Sequence, residues 1–188
     1  MNGIEYVDQL NSLIKNGEYC NGLQAIPYNE AIFGIKACIQ KQANLGKKII
    51  FIGNGGSASI ASHMAIDFWR NGGIRALCFN EAAQLTCISN DFGYAQVFAS
   101  PIMMFADAGD ILVAISSSGQ SENILNAVIA AQNSGCIIIT LSGFEPTNPL
   151  RATGQWNMYV PSSAYGMVEL SHQIILHNLL DFIMADKK

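Results

Sequence analysis

His63 and Asp67 stand four residues apart in a stretch, residues 58–70, whose apolar side chains recur at helical spacing. On a helix such a pair shares one face, with Cβ atoms ~5–6 Å apart. Glu169 and His177 lie eight residues apart in a second helical stretch, 167–184. At 3.6 residues per turn they are separated by only about 80° around the axis. Two imidazoles and two carboxylates on two helices make a four-ligand donor set for zinc, His63, Asp67, Glu169 and His177. The neighbours of Asp67 are apolar (Met64, Ala65, Ile66, Phe68, Trp69), so a carboxylate buried there needs a partner or a metal. Each residue also has a plainer reading. His63 could be a core histidine bonded to a carbonyl, Asp67 an ion-pair partner of Arg70, Glu169 a first-turn acid, and His177 a ring stacked in a subunit interface. His172 lies off the Glu169–His177 stripe and reads as structural.

Two loops point to an anion. Gly53-Asn54-Gly55-Gly56-Ser57 follows a short apolar run and precedes a helical stretch. Its glycines permit close backbone approach, and a helix start presents unpaired N–H groups. No Gly-Lys-Ser/Thr follows, and the glycines do not match a dinucleotide fingerprint, so no nucleotide cofactor is expected. The second loop, Ser116-Ser117-Ser118-Gly119-Gln120-Ser121, brings four hydroxyls to another helix start. That suits a phosphate monoester held by neutral donors and a helix dipole. A Ser121 N-cap alone would need one hydroxyl, not four.

These loops need a scaffold that presents strand ends side by side. Continuous apolar runs at 48–52, 74–79, 111–115 and 136–141, with a weaker one at 156–160, alternate with helical stretches near 58–70, 81–89, 96–105, 121–133 and 167–184. Runs apolar on both faces predict a parallel sheet covered by helices. The expectation is a three-layer αβα sandwich with a five-stranded parallel sheet, its ligand beyond the carboxyl ends of the strands. Residues 1–188 read as one domain. Within it, 1–46 forms a helical N-terminal extension outside the repeating unit, for oligomer packing, and 47–188 forms the αβα core. Half of the 188 residues are hydrophobic and 13% are charged, well under the usual ~25%, so subunit contact is expected to cover part of the surface. A net charge of −4 with no basic run argues against nucleic acid. No apolar run approaches a membrane span, and no signal-peptide layout is present; the expected location is cytoplasmic. Five cysteines without CxxC spacing exclude a disulfide framework or a cysteine zinc site.

With these motifs in this order, the chain resembles the SIS (sugar isomerase) family, and within it the branch acting on heptose phosphates. The resemblance rests on Gly53–Ser57 followed by His63, on Ser89-Asn90-Asp91-Phe92-Gly93-Tyr94, on Gly109-Asp110 leading into Ile115–Ser121, and on the closing helix with Glu169, His172 and His177. It implies a flavodoxin-like homotetramer with active sites at subunit interfaces. Ser116, Ser117, Ser118 and Ser121 would hold the phosphate of a sugar substrate, with Asn54, Gly55, Ser57, Asp91 and Glu169 around the sugar. It implies interconversion of sedoheptulose 7-phosphate and a heptose 7-phosphate through an enediol, with Asp67 as base, His177 as acid, and zinc between the two helices. The chain departs from the family at Asp67, where Glu is usual, and at Glu169, where Gln is usual. It departs also at Gly166-Met167, at Arg70 and in the loop 143–149.

Overall fold

The computed structural model describes residues 2–186. In chain order the elements are helix α1 (Gly3–Lys15), strands β1 (Glu18–Asn21) and β2 (Gln24–Ile26), α2 (Tyr28–Asn44), β3 (Ile49–Gly53), α3 (Gly56–Arg70), β4 (Ala76–Cys78), α4 (Ala82–Phe92), α5 (Ala99–Phe105), β5 (Ile111–Ser116), α6 (Glu122–Asn133), β6 (Ile137–Ser142), β7 (Trp156–Tyr159) and α7 (Tyr165–Ala185). One sheet runs in the order β2-β1-β7-β6-β5-β3-β4. Its five strands β7, β6, β5, β3 and β4 are parallel, as the apolar runs predict.

The alternation of side chains along a strand divides the core in two. Ile49 and Phe51 of β3, with Ile111, Val113 and Ile115 of β5, pack against α2, α3 and α7. Ile50 and Ile52, with Leu112 and Ala114, face α5 and α6. Both faces of every central strand are thereby buried, which is why these strands read as continuous apolar runs.

Two expectations are corrected in the first 46 residues. That segment is not wholly helical: β1 and β2 form an antiparallel hairpin, and β1 adds to β7, also antiparallel, so the sheet has seven strands rather than five. Nor does α2 lie outside the unit. Its Ala31, Ile32, Ile35 and Ile39 are buried in the same cluster as β3 and α7. Among the described residues no helix is long and apolar enough to cross a membrane.

Chain direction across the sheet reverses between β3 and β5, since β3 leads to β4 on one side while β5 leads to β6 on the other. The loops leaving their carboxyl ends therefore diverge and leave a crevice. At the opposite end the two strands are tied together by Lys48 and Asp110. The Asp110 carboxylate, 1% exposed, accepts from the Lys48 backbone N–H at 2.9 Å and from the Asp107 N–H at 2.8 Å, and it pairs with the Lys48 ammonium. Burial works against the Lys48 charge, but the hydrogen bonds it donates to Asp110 and Asp107 outweigh it and raise its pKa. Asp110→Ala strips two buried N–H groups of their acceptor and leaves Lys48 only the exposed Asp107. We expect a loss of about 2 kcal/mol in urea unfolding, with an unchanged fold by circular dichroism.

Candidate functional site

The crevice holds a pocket of about 250 Å³ lined by Asn54, Gly55, Gly56 and Ser57 from the β3–α3 loop, Ser116, Ser117, Ser118 and Ser121 from the β5–α6 loop, and Tyr165 and Glu169 from α7. Both loops singled out in the sequence therefore line one cavity. Among the described residues no lysine or arginine lines it; its donors are hydroxyls and the helix starts.

The four serines divide the work. Ser116 Oγ accepts from the Gly119 N–H at 3.2 Å, and Ser118 Oγ accepts from the Gln120 N–H at 3.3 Å, so these two shape the loop. Ser121 occupies the N-cap position of α6 yet makes no side-chain cap bond. Its hydroxyl faces Ser116 Oγ at 3.5 Å. Ser117 is 5% exposed, and its hydroxyl is buried with no hydrogen-bond partner. An unpaired buried hydroxyl costs about 1–3 kcal/mol, and a ligand in the pocket would remove that cost. Gly119 is required by the loop. Its φ is +63°, and an added Cβ would fall 1.9 Å from Asn148 Oδ1.

The Asn54 amide, expected to line the sugar, is engaged in a reciprocal pair with Asn123 of α6, each amide donating to the other's carbonyl oxygen at 2.9 Å. Tyr94 Oη also donates to Asn54 Oδ1 at 3.0 Å. Asn54 thus joins the two loops. The sequence reading missed Asn123, and it singled out Tyr94 only as the end of the Ser89–Tyr94 motif, without a role. The available signal for Asn123 was a polar residue beside the apolar positions Ile124, Ala127 and Val128, with 3% exposure.

The second cluster forms between α3 and α7. His63 Nε2 is 3.3 Å from His177 Nε2 and 3.3 Å from Asp67 Oδ2. The His63, Asp67 and His177 ligand atoms all lie within 4.8 Å of one another. His63 is exposed rather than a core residue, and its ring meets His177 edge-on at 5.2 Å. Arg70 turns to Asn71 Oδ1 at 2.9 Å, while Asp67 Oδ1 accepts from Asn71 at 3.2 Å; the Asp67–Arg70 pair is not what the helix builds.

Glu169 stands elsewhere. Its carboxylate oxygens lie 2.4 Å from where a Cβ on Gly56 would be, so glycine at the start of α3 is what admits the acid to the serine pocket. Eight residues of helix place it about 12 Å along α7 from His177. Three of the four candidate metal ligands therefore converge within this chain, and the fourth sits with the serines. Asp91 also stays outside the pocket. It is exposed at the end of α4, where it accepts from Cys87 Sγ at 3.6 Å and Asn90 Nδ2 at 2.9 Å.

His172 is structural, as its position off the stripe implied. It is fully buried, with Nε2 3.2 Å from the Ser142 carbonyl and Nδ1 without a partner. Burial pushes its pKa down to about 4, with the Ser142 hydrogen bond opposing. The ring is neutral at pH 7, so Nε2–H donates.

The sequence pattern that defines the SIS domain matches residues 6–143. The phosphoheptose isomerase of Helicobacter hepaticus is 32% identical over 170 residues, covering 84% of this chain and 86% of that protein. The phosphoheptose isomerase of Coxiella burnetii is 35% identical over 144 residues, covering 72% of each. The solved structure of the phosphoheptose isomerase of Neisseria gonorrhoeae superposes with a TM-score of 0.78 at 27% identity, over 96% of this chain and 92% of that one.

Proposed function

From the premise that the chain belongs to the SIS domain family, we propose that it is a sugar-phosphate ketose–aldose isomerase acting on sedoheptulose 7-phosphate. The observation that carries this reading is the unpaired Ser117 hydroxyl in a cation-free pocket between two helix starts, which a phosphate monoester would satisfy.

The phosphate sits among Ser116, Ser117, Ser118 and Ser121, and the open sugar chain runs between α3 and α7 toward the second cluster. Gly56 and His63 are seven residues apart, about 10 Å along the helix. An extended phosphorylated chain of six or seven carbons covers about that span, three single bonds reaching ~3.5 Å. At the far end the Asp67 carboxylate takes the proton from the carbon next to the carbonyl, and His177 gives one to the carbonyl oxygen. The product is an enediol; Asp67 returns its proton to the neighbouring carbon while His177, its own proton given, takes the proton from the hydroxyl on the first carbon, which becomes the new carbonyl and completes the isomerisation. His63, 3.3 Å from both, orients the pair.

The cluster also fits zinc. Two ligands at 2.0–2.1 Å in tetrahedral geometry lie about 3.3 Å apart, the separation His63 Nε2 keeps from both His177 Nε2 and Asp67 Oδ2. When bound by His63, Asp67 and His177, zinc would polarise the substrate's oxygens in place of proton donation by His177; Glu169 would serve as a fourth ligand only if assembly brought it near. Assembly belongs to the same proposal, as a homotetramer whose interfaces enclose the sites. Exposed Ile66 and Trp69 of α3 and Leu170 and Ile174 of α7 lie on the two helices that carry the cluster, as covered surface would. Asp91 enters the site only through a neighbouring subunit.

The test is incubation with six- and seven-carbon ketose phosphates in deuterated water, followed by NMR. Deuterium at C1 or C2 of the seven-carbon substrate, with aldose formed, is the expected result. No exchange on any sugar phosphate, with or without added zinc, would overturn the reading.

A further inference from the structure

Tyr165 is the one aromatic residue lining the serine pocket, and nothing in the motif pattern singles it out. It opens α7 and lies four residues before Glu169, so the two side chains share a helix face. That face looks toward the start of α3, where the Glu169 carboxylate already stands. Although 63% exposed, the Tyr165 ring is steadied by Phe144, with centroids 4.8 Å apart and planes at 75°. Such an edge-on contact is the favoured aromatic geometry.

Phe144 is fixed in turn. Its N–H donates to the Ser162 carbonyl at 2.9 Å, and its own carbonyl accepts from Tyr159 Oη at 2.8 Å. Among the described residues it is the one non-glycine with positive φ, +57°. A bulky side chain adopts that backbone only where surrounding contacts enforce it. The adjacent Gly143 N–H donates to the Ser117 carbonyl at 3.0 Å, so the loop that places Phe144 is bonded to the loop that places the serines. The aromatic pair and the anion cradle are set by one framework.

We propose, on the sugar-phosphate reading above, that Tyr165 is a phosphate-binding and specificity-determining residue. Its phenol donates a hydrogen bond to a phosphoryl oxygen, and its ring walls the pocket mouth against water beside a terminal phosphate monoester. Among the described residues this chain supplies no cation to the pocket, so an added neutral donor on the dianion has a large relative effect.

The probe is inorganic phosphate, titrated calorimetrically into the intact protein, its Tyr165→Phe and Tyr165→Ala variants, and Ser117→Ala. Tyr165→Phe keeps the ring and loses the donor; it should weaken phosphate binding roughly tenfold, as loss of a hydrogen bond to a charged group does. Tyr165→Ala should weaken it further. With the sugar phosphate, KM should rise by the same factor while kcat holds, the signature of binding shared by ground and transition states. Unchanged thermal melting of Tyr165→Phe would exclude a folding effect. Phosphate bound by the wild type and by Tyr165→Phe within twofold overturns the role of Tyr165 and leaves the pocket standing. No phosphate bound by the wild type overturns the serine-pocket reading and the tyrosine with it.

Discussion

Asp67→Asn will lower kcat by about 10²–10⁴-fold, the usual contribution of a positioned general base, while leaving the fold and the phosphate affinity intact. The substitution is nearly isosteric. Asn retains an oxygen to accept the hydrogen bond that Asn71 now gives Asp67 at 3.2 Å. What it loses is the ability to accept a proton from the substrate and to hold a charge against His63. The serine pocket lies about 15 Å away along α3, so phosphate binding should be spared. A coupled isomerase assay, beside a phosphate titration and a urea melt of the same variant, separates these outcomes. Full turnover in Asp67→Asn would remove the base assignment and leave the cluster as a metal or structural feature.

Acidification will destabilise the protein through His172. Its pKa is about 4 in the folded state against 6.5 for the free side chain. Between those values the unfolded chain holds a proton that the folded chain refuses, so stability falls as pH drops below about 6.5 and levels off below about 4. A shift of that size corresponds to about 3 kcal/mol at 1.36 kcal/mol per unit. The physical cause is the sealed position of the ring between α7 and the end of β6, with its Nε2–H given to the Ser142 carbonyl and Nδ1 facing no acceptor. Urea melts from pH 7 to pH 4 should show this slope in the wild type. In His172→Gln, which cannot titrate, the part of the slope between pH 6.5 and 5 should disappear, whatever the variant's absolute stability. An identical slope in both proteins would rule the mechanism out.

The central strands were legible because burial on both faces leaves an unbroken apolar run, as in Ile49–Gly53 with every residue buried. The β1–β2 hairpin was not, because its strands have four and three residues and mixed polarity. Its one clear signal was Gly22: Asn21 pairs with Gln24 across the two-residue turn Gly22-Leu23, whose first residue has φ +58°, a place where glycine favours hairpins. In the site, glycine and serine loops between strand and helix could be read directly. Glu169 lines the pocket as a sugar-side residue would, but its distance from the other three candidate ligands could not be read, because angular separation says which face a residue shares and not how far along the axis it lies. Eight residues return nearly to the same face and also advance about 12 Å. Asn123 had no motif to mark it, and the motif ending in Tyr94 did not reveal that Tyr94 reaches Asn54.

The mutual amide grip of Asn54 and Asn123 means that the two halves of the cradle move as a unit. Widening one rim would drag the other, so the phosphate end cannot be retuned piecemeal. On the proposed reading, adaptation to longer or shorter sugars falls to the other end, between α3 and α7, where His63 and His177 meet at 3.3 Å. A common anchor with an adjustable far reach allows one scaffold to serve substrates of different length.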